Sequence, residues 1–214
     1  MTTTQDVTLD RPDARTGVRT PIGAGILVVI AGTVFADGAF LTAAYRGASP
    51  VPDDRLSYPW SGATAVTTSV VWGLAQLLLT LGLVAFARSD AITGRAGRRG
   101  ARVAVAGSAL YVVAHGVSIP FHDADLSDGG AMVALTLFGV GTLLTALGMV
   151  VAGLDVRRSQ VWRGWHRVVP LSLGAWMIVM MPLQFTPLLV VAVAVYAGIA
   201  IALGVAMVEE AATT

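Results

Sequence analysis

Two ionisable side chains lie where an apolar sequence least tolerates them. Asp37 sits in the run IGAGILVVIAGTVFADGAFLTAAY and His115 in the run VAVAGSALYVVAHGVSI. A charge inside such a run is expensive and marks a functional position by default. An aspartate and a histidine together can move a proton or hold a substrate. Asp37 lies 15 residues beyond the start of its run and His115 lies 12 beyond its own. At about 1.5 Å per residue both sit roughly 18–22 Å along a helix. An Asp37–His115 hydrogen bond between two helices is thus geometrically allowed. It would either fix helix register or form a proton or ligand site. Gln76, in a third apolar run, is a further polar candidate for the same cavity.

A second group follows Pro120: His122, Asp123, Asp125 and Asp128. Histidine and aspartate can bind a cation such as zinc, but no HExxH spacing is present. DADLSD is not a calcium loop, because Asp128 stands where that loop needs glycine and Ala134 where it needs its closing glutamate. The expectation is a solvated turn in which Ser127 or Asp128 caps the next helix, with no metal. Ser69 and Ser118 are the available nucleophiles, and Ser118 is near His115 in sequence, but there is no GxSxG and only Asp37 to orient the imidazole. The chain has no cysteine, which excludes disulfides and thiol chemistry.

The elements that carry these residues follow from hydropathy. Apolar residues make up 55% of the chain and charged residues only 13%, against roughly 25% charge in a soluble domain. Six apolar runs recur, at about 22–45, 63–87, 103–119, 130–154, 168–183 and 188–208. Most reach the roughly 20 residues that cross a hydrocarbon core as helix. Backbone amides in lipid must be satisfied within the segment, and these runs are too long and too continuously apolar for barrel strands. The expected fold is all-α, a polytopic six-helix transmembrane bundle.

Arginine distribution orients it. The first tail and the loops after spans two and four hold twelve arginines, whereas the other loops hold only Arg46 and Arg55. The positive-inside rule then places both termini in the cytoplasm. His115 and His122 fall in or near the outer half of a multi-pass protein of the cell membrane. Residues 1–20 are expected to be a disordered tail without a secretory signal, and 209–214 a short cytoplasmic tail. GRAGRR (94–99) lacks P-loop spacing, so neither nucleotide nor nucleic acid is an expected partner. WRGWHR (162–167) reads as an aromatic belt in which His166 is interfacial.

Packing signals are also present. Ala194, Gly198, Ala202 and Ala206 recur every four residues as a small-residue stripe. Gly139, Gly141 and Gly148, with Gly32 and Gly38, suggest similar close contacts. The methionines at 177, 180 and 181 read as bundle filler. Trp72-Gly73 before LLLTLGLV echoes Phe138-Gly139 before LLTALGMV, and Asp37-Gly38 echoes His115-Gly116, hinting at repeated hairpins. The loop RGASPVPDDRLSYPWSG (46–62), stiffened by three prolines, is either a plain connector or a segment folded over the outer mouth.

VPDDRLSYPWS (51–61), HDAD (122–125) and WRGWHRVVPLSLGAW (162–176) resemble the recurrent pattern of small six-span integral membrane proteins of the high-GC Gram-positive, actinobacterial type. The resemblance implies fold and location and no active-site assignment. The functional expectation is a non-catalytic membrane protein that binds a small molecule, lipid or partner in an outer-half cavity around Asp37, Gln76 and His115, without a cofactor. A proton-linked carrier and a membrane-embedded hydrolase are the alternatives.

Overall fold

The computed structural model describes residues 22–183 and 186–213. The expected tail at 1–20 and the turn at Gln184 lie outside the described residues. Six helices are long and apolar enough to cross a membrane, and no strand is present among the described residues. They are α1 (Ile22–Arg46), α2 (Gly62–Arg88), α3 (Arg95–Ser118), α4 (Gly129–Ser159), α5 (Val169–Leu183) and α6 (Leu189–Thr213). Single turns of 3-10 helix, Ile119–Phe121 and His166–Val168, extend α3 and precede α5. Each helix packs on its neighbours in sequence, and α1 closes the ring on α6.

On α1 small residues predominate on the inner face, where Val28 and Phe35 are buried with them. On α1, Ala24, Gly25, Ala31, Gly32 and Ala39 face inward, while Ile22, Ile26, Ile30, Phe40 and Leu41 face outward. Water would reverse much of this. Lipid would not, because outside and inside would then be equally apolar and close backbone approach would hold the helices together. Between α3 and α4 the backbones approach closely. A Cβ on Gly107 would lie 2.5 Å from the Thr145 nitrogen, and one on Gly148 would lie 2.5 Å from the Gly100 carbonyl oxygen. Gly25 and Gly204 cross in the same way, each Cβ falling 2.6 Å from the other's carbonyl oxygen. Polar hydroxyls in the helices turn back on their own backbone: Thr80, Thr142 and Thr145 each donate to the carbonyl four residues earlier.

Two packing expectations are corrected. Gly198 and Gly139 meet nothing within 4 Å of an added Cβ, and Ala194 is exposed. The face of α6 that touches α1 is instead the one with Ala197 and Gly204. Spacing identifies a small-residue stripe but not the side on which a neighbour lies. Gly32, Gly38, Gly141 and Gly148 do sit in tight contacts.

Helix ends also differ from the apolar limits. α3 begins at Arg95, so Arg95, Arg98, Arg99 and Arg102 are helical and not in a loop. The Asp155 carboxylate of α4 accepts the Thr93 and Gly94 N–H groups at 2.9 Å, satisfying donors that a helix start leaves open. α6 runs through 209–213, where a tail was expected. There His166 is held between two carboxylates, Nδ1 at 2.7 Å from Glu210 and Nε2 at 2.6 Å from Glu209. Trp162 is buried against Phe86, with ring centroids 5.6 Å apart, so it belongs to the core and not to an aromatic belt; Trp165 remains exposed.

Gly107→Leu should destabilise the bundle by about 1–3 kcal/mol or more, the cost of forcing bulk into a packed interface. Gly198→Leu should be neutral, because its Cβ meets open space. Unfolding of both variants in detergent, followed by circular dichroism, checks the contrast.

Candidate functional site

One end of the ring is covered. The α1–α2 connection meets the turn between α3 and α4 in a short antiparallel pairing. The Leu56 N–H donates to the Ala124 carbonyl oxygen (3.1 Å), Ser57 to His122 (3.1 Å) and Leu126 to Asp54 (2.9 Å). Arg55 reinforces it, with Nε 3.2 Å from the Asp125 carboxylate and a second guanidinium nitrogen donating to the Asp123 carbonyl oxygen. The loop is therefore a lid. Its prolines remove competing helix, and Tyr45 stacks on Trp60 at 5.0 Å to anchor its far end.

His122, Asp123 and Asp125 serve this lid. His122 Nδ1 donates to the Ile119 carbonyl oxygen (2.9 Å) and Nε2 lies 3.1 Å from the Asp123 carboxylate. Asp128 occupies the cap position of α4 but makes no side-chain capping bond; its carboxylate accepts the Asp125 N–H instead, at 3.0 Å. Among the described residues no three His, Asp or Glu side chains converge as a metal site requires.

Beneath the lid is a cavity of about 230 Å³. Leu56, Ser57, Tyr58 and Pro59 roof it, Ser69 and Ser118 stand in its wall, and His115 lies in its floor. The imidazole is gripped edge-on by two aromatic rings, Trp72 from α2 (centroids 6.4 Å) and Phe138 from α4 (5.0 Å). Gly73 lets α2 come close, since a Cβ there would lie 3.2 Å from the Cβ of His115. No described residue hydrogen-bonds the imidazole. Among the described residues the Ser57 hydroxyl is buried without a hydrogen-bond partner. Ser118 donates to the His115 backbone carbonyl (2.8 Å) and makes no hydrogen bond to the ring, so no nucleophile–base pair is formed.

Asp37 and His115 do not meet. Trp72 stands between them: its indole rests over Gly38 on one side and against His115 on the other. That arrangement separates their surroundings. Asp37 is exposed in a second cleft, on the flank between α1 and α2. Gln76 lines neither cavity. Its amide nitrogen donates to the Ser108 hydroxyl (2.8 Å), which also shares a hydrogen bond with Thr80 (2.7 Å), all three side chains being buried.

The residues that build the site beyond the polar candidates are Trp72, Phe138 and Ser57. The first two were visible as the aromatic members of the echoed pairs, and their rings pack on His115 from two different helices. The other half of the echo is not matched, since Gly38 seats an indole and Gly116 faces open space. No protein-family model, curated protein or solved structure matches this chain.

Two expectations follow. Ser108→Ala should cost about 1–2 kcal/mol, since it strands a buried amide among apolar groups; unfolding in detergent measures it. Because the chain lacks cysteine, Ser118→Cys introduces a single thiol under the lid. Adding Arg55→Ala should raise its maleimide alkylation rate several-fold by freeing the pairing that covers it.

Proposed function

We propose that this is a multi-pass plasma-membrane protein, of the small six-span actinobacterial type, that binds a small molecule or a single lipid headgroup in the lidded cavity. Both termini lie in the cytoplasm, so the lid faces outside. The twelve-to-two arginine asymmetry supports that orientation, and the exposed belt of large apolar side chains supports residence in lipid.

The observation that carries the binding reading is the state of His115. An imidazole braced by Trp72 and Phe138 but hydrogen-bonded by no described residue has both ring nitrogens available. The ring lines the cavity, so a ligand polar group there can hydrogen-bond the imidazole directly. The Ser57 hydroxyl offers a second contact from the roof. The cavity, at about 230 Å³, is smaller than the roughly 300–1,000 Å³ typical of drug-sized sites. A compact ligand is therefore favoured. A carrier reading has less support. Below His115 the interior closes on the Gln76–Ser108–Thr80 bonds and on Leu79, Leu83 and Phe86. The hydrolase reading lacks a serine bonded to the imidazole.

Native mass spectrometry of the detergent-extracted protein tests the site. The wild type should carry a bound small species that His115→Phe loses while eluting as a folded protein; an identical spectrum for both removes the reading. For orientation, impermeant maleimide on intact cells should label Ala48→Cys and leave Thr213→Cys unlabelled.

A further inference from the structure

The second cleft lies on the flank of the bundle, between α1 and α2. It encloses about 490 Å³ and is lined by Val34, Leu41, Thr64, Val71, Trp60 and Trp72 around a single carboxylate, Asp37. Leu41 and Val71 are 57% and 43% exposed, so the cleft opens sideways along the helices rather than toward the lid.

Asp37 is 15 residues into a helix of 25, or about 22 Å along an axis of about 37 Å. That is close to the middle of the span. No described residue hydrogen-bonds or ion-pairs with its carboxylate. No base on the surrounding helices is placed to do so. The only other charged residues of α1 and α2 are Arg46 and Arg88, at the helix ends. Arg46 is turned away, its guanidinium 5.5 Å from the Tyr58 ring centroid and donating to the Pro187 carbonyl oxygen at 3.5 Å. His115 is screened by Trp72.

A lone carboxylate at this depth calls for a counter-charge. Two indoles beside it are the side chains that best attract a cation through their ring faces. Apart from Thr64, Thr67 and Thr68 the remaining walls are apolar, and the opening lies on the outer flank of the helices beside exposed Leu41 and Val71. We infer that this cleft is a lateral binding site for a lipophilic organic cation, entered from the bilayer, with Asp37 as counter-ion and Trp60 and Trp72 as flanking aromatic walls. It is separate from the lidded cavity, with which it shares a wall at Trp60, Thr68 and Trp72.

Equilibrium binding of tetraphenylphosphonium to the purified full-length protein in detergent tests this. The expected result is saturable binding that weakens at least tenfold in Asp37→Asn, stays within threefold in Asp37→Glu and is unchanged in His115→Phe. The neutral triphenylphosphine oxide should not compete. Val71→Arg, which supplies a counter-charge from the opposite wall, should abolish binding and keeps the test decisive if Asp37→Asn does not fold. The inference is overturned if the wild type shows no saturable binding, if Asp37→Asn or Val71→Arg binds like the wild type, or if the neutral oxide competes equally.

Discussion

Close backbone approach between helices is the constraint on which this structure rests. In lipid, apolar side chains gain nothing by being buried among other apolar side chains, so attraction must come from contact itself. Gly100, Gly107, Gly141 and Gly148 bring α3 and α4 together, and Gly25 with Gly204 closes α1 on α6. These crossings fix where every polar residue falls. His115 shares a helix with Gly100 and Gly107, so the packing of that helix on α4 places Phe138 against the imidazole.

The polar residues of the interior divide into those that are satisfied and those that are not. Gln76, Thr80 and Ser108 close on one another, and Thr142 and Thr145 bond to their own helix. Such groups hold register and leave nothing to offer a ligand. Among the described residues, buried His115 and exposed Asp37 have no hydrogen-bonding partner, and each lies beside a cavity. Trp72 separates them, so a histidine facing a capped chamber and a carboxylate facing the flank have distinct chemistry at nearly equal height. The lid completes the first chamber by consuming His122, Asp123, Asp125 and Arg55 in its own closure.

Much of this was legible in the chain and some was not. Hydropathy alone located six helices, because each must satisfy its own backbone over a fixed thickness. The helix limits it gave were short at the arginine-rich end. Hydropathy stops at the first charge, whereas α3 continues through four arginines with its start secured by Asp155, sixty residues away in sequence. The α6 stripe held at Ala202 and Ala206, which pack in the bundle, and failed at Ala194 and Gly198, which are exposed: periodicity defines a face but not the neighbour that fills it. Trp162 looked interfacial by its position and is buried by its contact with Phe86.

Residue order and composition by themselves determined the six runs long and apolar enough to cross a membrane, the uneven arginines and the rarity of ionisable groups such as Asp37 and His115 within those runs. These are one-dimensional quantities, set by hydration energies that do not depend on neighbours. Only the tertiary structure decided that Asp37 and His115 are parted by an indole, that Gln76 is engaged by Ser108, and that the proline-rich loop is a lid. Each of those outcomes depends on the rotation of one helix about its axis against another, which is settled by contacts between residues far apart in the chain.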